Sequence, residues 1–240
     1  MVAFAVVLSS VLAGLVQSVT GFGGAVIIML ALPHFFSIPA ASSIASAVCL
    51  GLNLALLLKF RKHLDWRLWL LPTVPYLATS TAAIYMVGQF DLRLLSMVFG
   101  IFLMVLAVYS CFFARRASVQ PGPKAAMLCG GASGVTSGLF GIGGPLMAVY
   151  FVSVSRDKES YIANIQCLFA VTNVVNFLLR ISKGIYTADL IPITLLGFAG
   201  ITLGKMLGLC LLERMELEGM KKGVYAFVGL SGILNVIQQL

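Results

Sequence analysis

Two glycine clusters, GFGG at 21–24 and GIGG at 141–144, are the residues whose placement in this chain suggests chemistry. The first interrupts an uncharged apolar run that starts at Met1 and meets no basic residue until Lys59; the second sits the same way in the other half. Glycine is the worst helix former except proline. A chain break at membrane depth also exposes backbone N–H and C=O groups that lipid cannot satisfy, so it is tolerated only in buried protein or beside a wet cavity. There glycine permits positive φ and lets bare backbone approach a ligand. The helix that follows, from Ala25 or from Pro145 at a favourable first-turn position, offers free N–H groups and a positive dipole end. Two such starts meeting at the bilayer midplane form an anion site. The competing reading is close helix packing, which repeats small residues at every fourth position rather than bunching them in a turn.

Polar residues flank both clusters: Gln17, Ser18 and Thr20 before the first, Ser133, Thr136 and Ser137 before the second. They either line the cavity or, as hydroxyls in membrane helices often do, bond back to their own backbone. Asn53 and Asn173 lie mid-span, joined by Gln166 and Asn176. Buried amides need partners, and this pair either binds substrate or, the reading favoured here, ties the spans to the glycine segments. Lys205, in GITLGKMLG, is the clear intramembrane charge; it either snorkels to the interface or attracts an anion. All eight acids fall at span ends or in loops, and Asp65, Asp91 and Asp189 look like helix N-caps. That leaves no carboxylate relay or sodium cage in the hydrocarbon.

The elements that must hold these residues are membrane helices. Of 240 residues, 60% are hydrophobic and 10% charged, with a mean hydropathy of +1.03, outside the range of soluble domains. Apolar runs of roughly 20 residues at 40–58, 67–87, 92–113, 161–180, 189–211 and 223–240 can each span the bilayer, and 1–36 and 125–154 carry the glycine clusters. The net charge of +8 lies in short loops and reads as topology, not as a nucleic-acid surface. The N-terminus lacks a basic leader region and is expected to stay in the fold. Cys49, Cys111, Cys129, Cys167 and Cys210 read as packing residues without metal spacing. His34 and His63 sit near span ends, and Trp66 and Trp69 fit an interfacial belt. The GASG at 131–134 resembles a serine-protease loop, but both histidines precede it, and no nucleotide loop or metal signature is present. No enzyme and no cofactor is expected.

Sliding the chain by 120 residues aligns Gly14 with Gly134, Gly21 with Gly141, Gly23 with Gly143, Gly24 with Gly144, Asn53 with Asn173, Pro72 with Pro192 and Gly88 with Gly208, without a gap. The expected units are repeats 1–120 and 121–240, forming one membrane-embedded body. If each glycine region crosses once, basic residues divide nine against six between the two faces. If each enters and returns, one face collects twelve, leaving Arg93, Arg180 and Lys183 on the other. The positive-inside rule favours the second. The expected fold is therefore an all-α integral membrane protein of two inverted repeats, each a re-entrant glycine-tipped helical hairpin plus three transmembrane helices, with both termini outside.

QSVTGFGGAVIIMLALP at 17–33, GLFGIGGPLMAVYF at 138–151 and LDWRLWLLP at 64–72 resemble the TauE/SafE family of sulfite-exporter-like permeases across essentially the whole chain. The resemblance implies transport of sulfite, sulfoacetate or other sulfonates across a bacterial or archaeal inner membrane. Its glycine motifs map onto Gly21, Gly23, Gly24, Gly141, Gly143 and Gly144; many members carry a third glycine where this chain has Ala25 and Pro145. The expected binding set is Gln17, Ser18, Thr20, Gly21, Gly23, Gly24, Asn53, Thr136, Ser137, Gly141, Gly143, Gly144, Asn173 and Lys205. The expected partners are a small anion, the lipid bilayer and a second copy of the chain. Export needs no coupling ion: one negative charge leaving through 100 mV releases about 2.3 kcal/mol. An ion-coupled importer and a non-transporting scaffold are the alternatives.

Overall fold

Both glycine clusters end a helix and start another. The computed structural model describes residues 2–86, 97, 101, 104 and 122–237. Helix α1, Val2–Thr20, stops where Gly21 turns left-handed at φ 78°, and α2, Gly24–Ala31, starts behind Gly23 at φ 95°. In the second half, α5, Pro123–Phe140, stops at Gly141, φ 73°, and α6, Gly144–Val154, follows. The closing bond is the same at both breaks. Gly21 N–H donates to Gln17 O at 2.9 Å and Gly141 N–H to Ser137 O at 2.9 Å, the left-handed cap that ends many helices.

The remaining helices start where short polar side chains and prolines dictate. In α3, Ile38–Phe60, Ser37 is the cap and Pro39 fills the first turn. Asp65 Oδ1 accepts from Arg67 N–H at 2.9 Å at the start of α4, Trp66–Met86. Asp157 does the same for α7, Lys158–Ser182, accepting from Ser160 N–H at 2.6 Å. Helices α8, Ile191–Glu213, and α9, Leu217–Ile237, complete the described set. Asp189 sits in a short 3-10 turn and makes no cap bond, because the helix begins two residues later, after Leu190. The expected span 92–113, with Gly88, Asp91, Arg93, Cys111, Arg115 and Arg116, lies outside the described residues.

Among the described helices α1, α3, α7 and α8 are long and apolar enough to cross a membrane. Helices α2 and α6 have 8 and 11 residues, about 12 and 16 Å of helix, and do not reach across about 30 Å of hydrocarbon. Leu128, Val74, Leu203 and Leu207 point outward, apolar enough for lipid contact.

Close packing holds the bundle. Gly200, Gly204 and Gly208 of α8 lie against the carbonyls of Val7, Val11 and Leu15, and a β-carbon on Gly200 or Gly208 would sit 2.7 or 2.6 Å from such an oxygen. Gly130, Gly134 and Gly138 of α5 lie in the same way on Pro72, Tyr76 and Ser80 of α4. Residue numbers rise together in both pairs, so α1 runs parallel to α8 and α4 to α5. Each glycine-broken helix thus packs along a helix from the other half of the sequence, with small residues at every fourth position letting backbones touch. Helices α3 and α7 run antiparallel: Ser46 meets Arg180 at one end of the pair, and Asn53 reaches Gln166 through Gln17 further along. Lys59 pairs with Glu213 at 2.6 Å, Lys158 Nζ donates to Met215 O at 2.8 Å, and Asp65 N–H donates to Asn164 Oδ1 at 3.0 Å. These bonds gather one end of the bundle.

Two expectations are corrected. Arg180 is not a loop residue beside Lys183: α7 continues to Ser182 and leaves Arg180 2% exposed. Trp69 turns into the bundle and not outward: it is 7% exposed, whereas Trp66, three residues earlier, is 66% exposed.

Candidate functional site: a cavity between two helix breaks

The breaks face each other, with the Phe22 ring 3.1 Å from where a β-carbon of Gly144 would stand. Between them is a cavity of about 30 Å³ whose polar lining is Gln17, Asn53, Tyr76, Ser137 and Asn173. Phe22, Val26, Cys49, Ile142 and Phe169 supply apolar walls, and Gly23, Ala25, Gly141, Gly143 and Gly144 bring backbone to the edge. Five pairs of these residues lie 120 positions apart: 17 and 137, 22 and 142, 23 and 143, 49 and 169, 53 and 173. The volume suits roughly one or two waters.

Helix starts give the cavity its positive side. Ala25 and Val26 belong to the first turn of α2 and Gly144 to that of α6, where N–H groups have no intrahelical acceptor and the dipole end is positive. Pro145 lacks an N–H, so the second start offers one donor fewer. Gly143, at φ −110°, needs to be glycine for space, because Ser133 O would lie 2.8 Å from its β-carbon and the Tyr76 hydroxyl closer still.

The same two breaks also deliver the negative, carbonyl ends of α1 and α5, which oppose an anion. Side chains of α7 cover them. Tyr161 donates its hydroxyl to Thr20 O at 2.5 Å, and Gln166 Nε2 donates to Gly21 O at 2.7 Å. At the other end of α7, Arg180 Nη2 donates to Ser137 O at 3.0 Å and Gly138 O at 3.3 Å, and its Nη1 to Ser46 Oγ at 3.1 Å. Asn176 Nδ2 donates to Ser137 Oγ at 3.2 Å, and its Oδ1 accepts from Ser80 Oγ at 2.9 Å. Gln17 Nε2 donates to Asn53 Oδ1 and lies 3.5 Å from Gln166 Oε1. Asn53 is fully buried, yet its Nδ2 has no partner, and neither does Ser42 Oγ beside Gly141. A buried donor left unmet costs about 1–3 kcal/mol, which an oxygen-bearing ligand in the cavity would relieve.

Of the expected binding set, Gln17, Gly23, Asn53, Ser137, Gly141, Gly143, Gly144 and Asn173 line this cavity. The others stand around it. Gly21 and Gly24 shape the first turn, against the Tyr161 ring and the Gln17 side chain. Thr20 Oγ1 bonds within its own turn, to Val16 O at 2.9 Å or Phe22 O at 2.8 Å, and Thr136 Oγ1 bonds back to Ser133 O at 3.1 Å. Ser18 packs on Gly208, and Lys205 packs its backbone on Gly14 without lining the cavity. Tyr76, Phe22, Cys49, Phe169, Tyr161 and Arg180 are additions that the sequence reading did not single out as site residues.

Helices broken at glycine and a polar cavity between two breaks are how secondary transporters build a solute site. The family model for the sulfite exporter TauE/SafE matches residues 6–234. The chain belongs to this family of membrane transporters, whose solutes are sulfur anions such as sulfite. No curated protein and no solved structure matches it.

Proposed function

We propose that this protein exports small sulfur oxyanions or sulfonates across the inner membrane, holding the anion between the two glycine tips near the midplane. The observation that carries the reading is the convergence of two helix starts on one cavity while α7 side chains neutralise the carbonyl ends that meet there. The cavity suits one or two waters in this conformation, so loading a four-heavy-atom oxyanion is read as a parting of the lining. Among the described residues no acid is buried, in keeping with export driven by membrane potential alone.

The inverted, re-entrant topology is part of the proposal. Helix α3 ends and α7 begins at the end of the bundle that Lys59 and Lys158 mark, and α8 ends there too. Because α1 runs with α8 and α2 leads into the start of α3, the α1–α2 hairpin starts and finishes at the opposite end. Because α5 runs with α4 and α6 leads into the start of α7, the α5–α6 hairpin starts and finishes at the Lys59 end. This supports two halves, 1–120 and 121–240, of opposite orientation, with the Lys59 end read as the inner face by the positive-inside rule.

Purified protein in liposomes loaded with sulfite is expected to release it, faster when an imposed potential drives negative charge outward; a scaffold subunit releases none. Gly23→Val and Gly143→Val are expected to abolish that release, and unchanged release from both, in folded protein, removes the tips from the mechanism. Single cysteines at positions 124 and 156 are expected to react from the same face, and labelling from opposite faces refutes the hairpin topology.

A further inference from the structure

Among the described residues Arg180 is the one charged side chain in the buried set. The salt bridge formed among them joins Lys59 to Glu213 at the bundle end, so no described carboxylate neutralises the guanidinium. Its acceptors, Ser46 Oγ, Ser137 O and Gly138 O, are dipoles. Removing a cation from water without a counter-charge is strongly unfavourable, and capping the carbonyl end of one helix does not require it, since carbonyls at the first break, those of Thr20 and Gly21, are capped by the neutral Tyr161 and Gln166. The charge stands one hydrogen bond from the cavity, because Ser137, whose carbonyl it holds, is a lining residue. In that cavity Asn53 Nδ2 is a buried donor without a partner.

We propose that Arg180 is the fixed charge that sets the valence preference of the cavity, favouring dianions over monoanions, with the missing counter-charge supplied by the bound anion itself. It does not line the cavity and acts through Ser137 and through its field, so it is a positioning residue. The inference rests on the reading of the cavity as an anion site and adds to it which charge class is selected. A purely structural cap weakens every ligand alike when removed, whereas Coulomb attraction scales with ligand charge.

The test is calorimetric binding of sulfate, a dianion, and nitrate, a monoanion, to the purified full-length wild type, Arg180→Gln and Arg180→Lys. Wild type is expected to prefer sulfate. Arg180→Gln, which keeps two donors for the carbonyls, is expected to weaken nitrate about tenfold and sulfate about a hundredfold, because the lost attraction doubles with the charge. Arg180→Lys, which keeps the charge and loses the planar fork, is expected to restore the preference. Equal weakening of both anions, or unchanged affinity in Arg180→Gln, overturns the proposal. If Arg180→Gln does not fold, wild type alone decides: equal affinity for the two anions, or binding of neither, overturns it. Sulfite release from liposomes is scored separately. Release by wild type with no valence effect at Arg180 removes this inference and keeps the exporter, whereas a valence effect without release does the reverse.

Discussion

At the first helix break the carbonyls of Thr20 and Gly21 are met by a phenol and an amide; at the second, those of Ser137 and Gly138, three residues earlier in register, are met by a guanidinium. The backbone caps are otherwise the same, with a left-handed glycine whose N–H reaches back four residues at 2.9 Å in each. The covers differ again beyond the turn. Gly23 lies under the Phe227 ring, which stacks edge-on against Phe22 at 5.5 Å, whereas Gly143 lies under the Tyr76 hydroxyl. What repeats at 120 residues is therefore the backbone that builds the site, and what does not repeat is its electrostatics. All three carbonyl-covering side chains come from α7, and its counterpart α3 has Ala41, Ser46 and Phe60 at the matching positions. A pseudo-symmetric frame with one polar helix gives the cavity two unequal ends.

The equivalence of the two turns is the part most easily broken. Gly21→Ala and Gly141→Ala each force a side chain into left-handed backbone and press a β-carbon on the Tyr161 ring or on Ser42 Oγ. Each is expected to lose about 3 kcal/mol of stability, read by denaturant unfolding in detergent; losses differing by more than about half would mean that the caps only look alike. The inequality of the covers comes next. Gln166→Leu strands Gly21 O and one side of Gln17, and is expected to lose about 2 kcal/mol, against about 1 kcal/mol for Tyr161→Phe. The paired amides follow. Asn53→Leu should weaken sulfite binding about tenfold and Asn173→Leu about threefold, because Asn53 also anchors Gln17; equal effects would mean that both act only as ligands. The smallest effect is at Cys49 Sγ, which lines the cavity. In a protein whose other cysteines are replaced by alanine, saturating sulfate is expected to slow its alkylation about threefold, and no slowing would place the anion elsewhere.

Much of this was legible in the residues. The glycine clusters stand out because few other residues tolerate such a break in an apolar run, and both asparagines stand out because an amide there needs a purpose. Arg180 was misplaced for an equally physical reason. Next to Lys183 and a turn it reads as a loop charge, and only the cap at Asp157, which sets the start of α7, and the bonds to Ser46 and Ser137 show that this side chain is inside. The signal available was the uncharged stretch from Tyr161 to Leu179 running straight into it. Tyr76 gave less: its partner 120 residues on is Leu196, so the repeat is silent about it. Tyr161 and Gln166 reach partners 141 and 145 residues away, distances that periodicity does not encode. Trp69 and Trp66 share a type and a neighbourhood, and which of them turns inward is decided by packing alone.

The clasp of α1 on α8 and of α4 on α5 has a mechanical consequence. Glycine rows seated on bare carbonyls leave no slack for sliding, so the two halves are threaded through each other and cannot part at residue 120. A motion that keeps both clasps moves α1 with α8 as one slab and α4 with α5 as another. Each slab carries one glycine turn, so their relative displacement changes the gap between the turns, and with it the width of the chamber, directly.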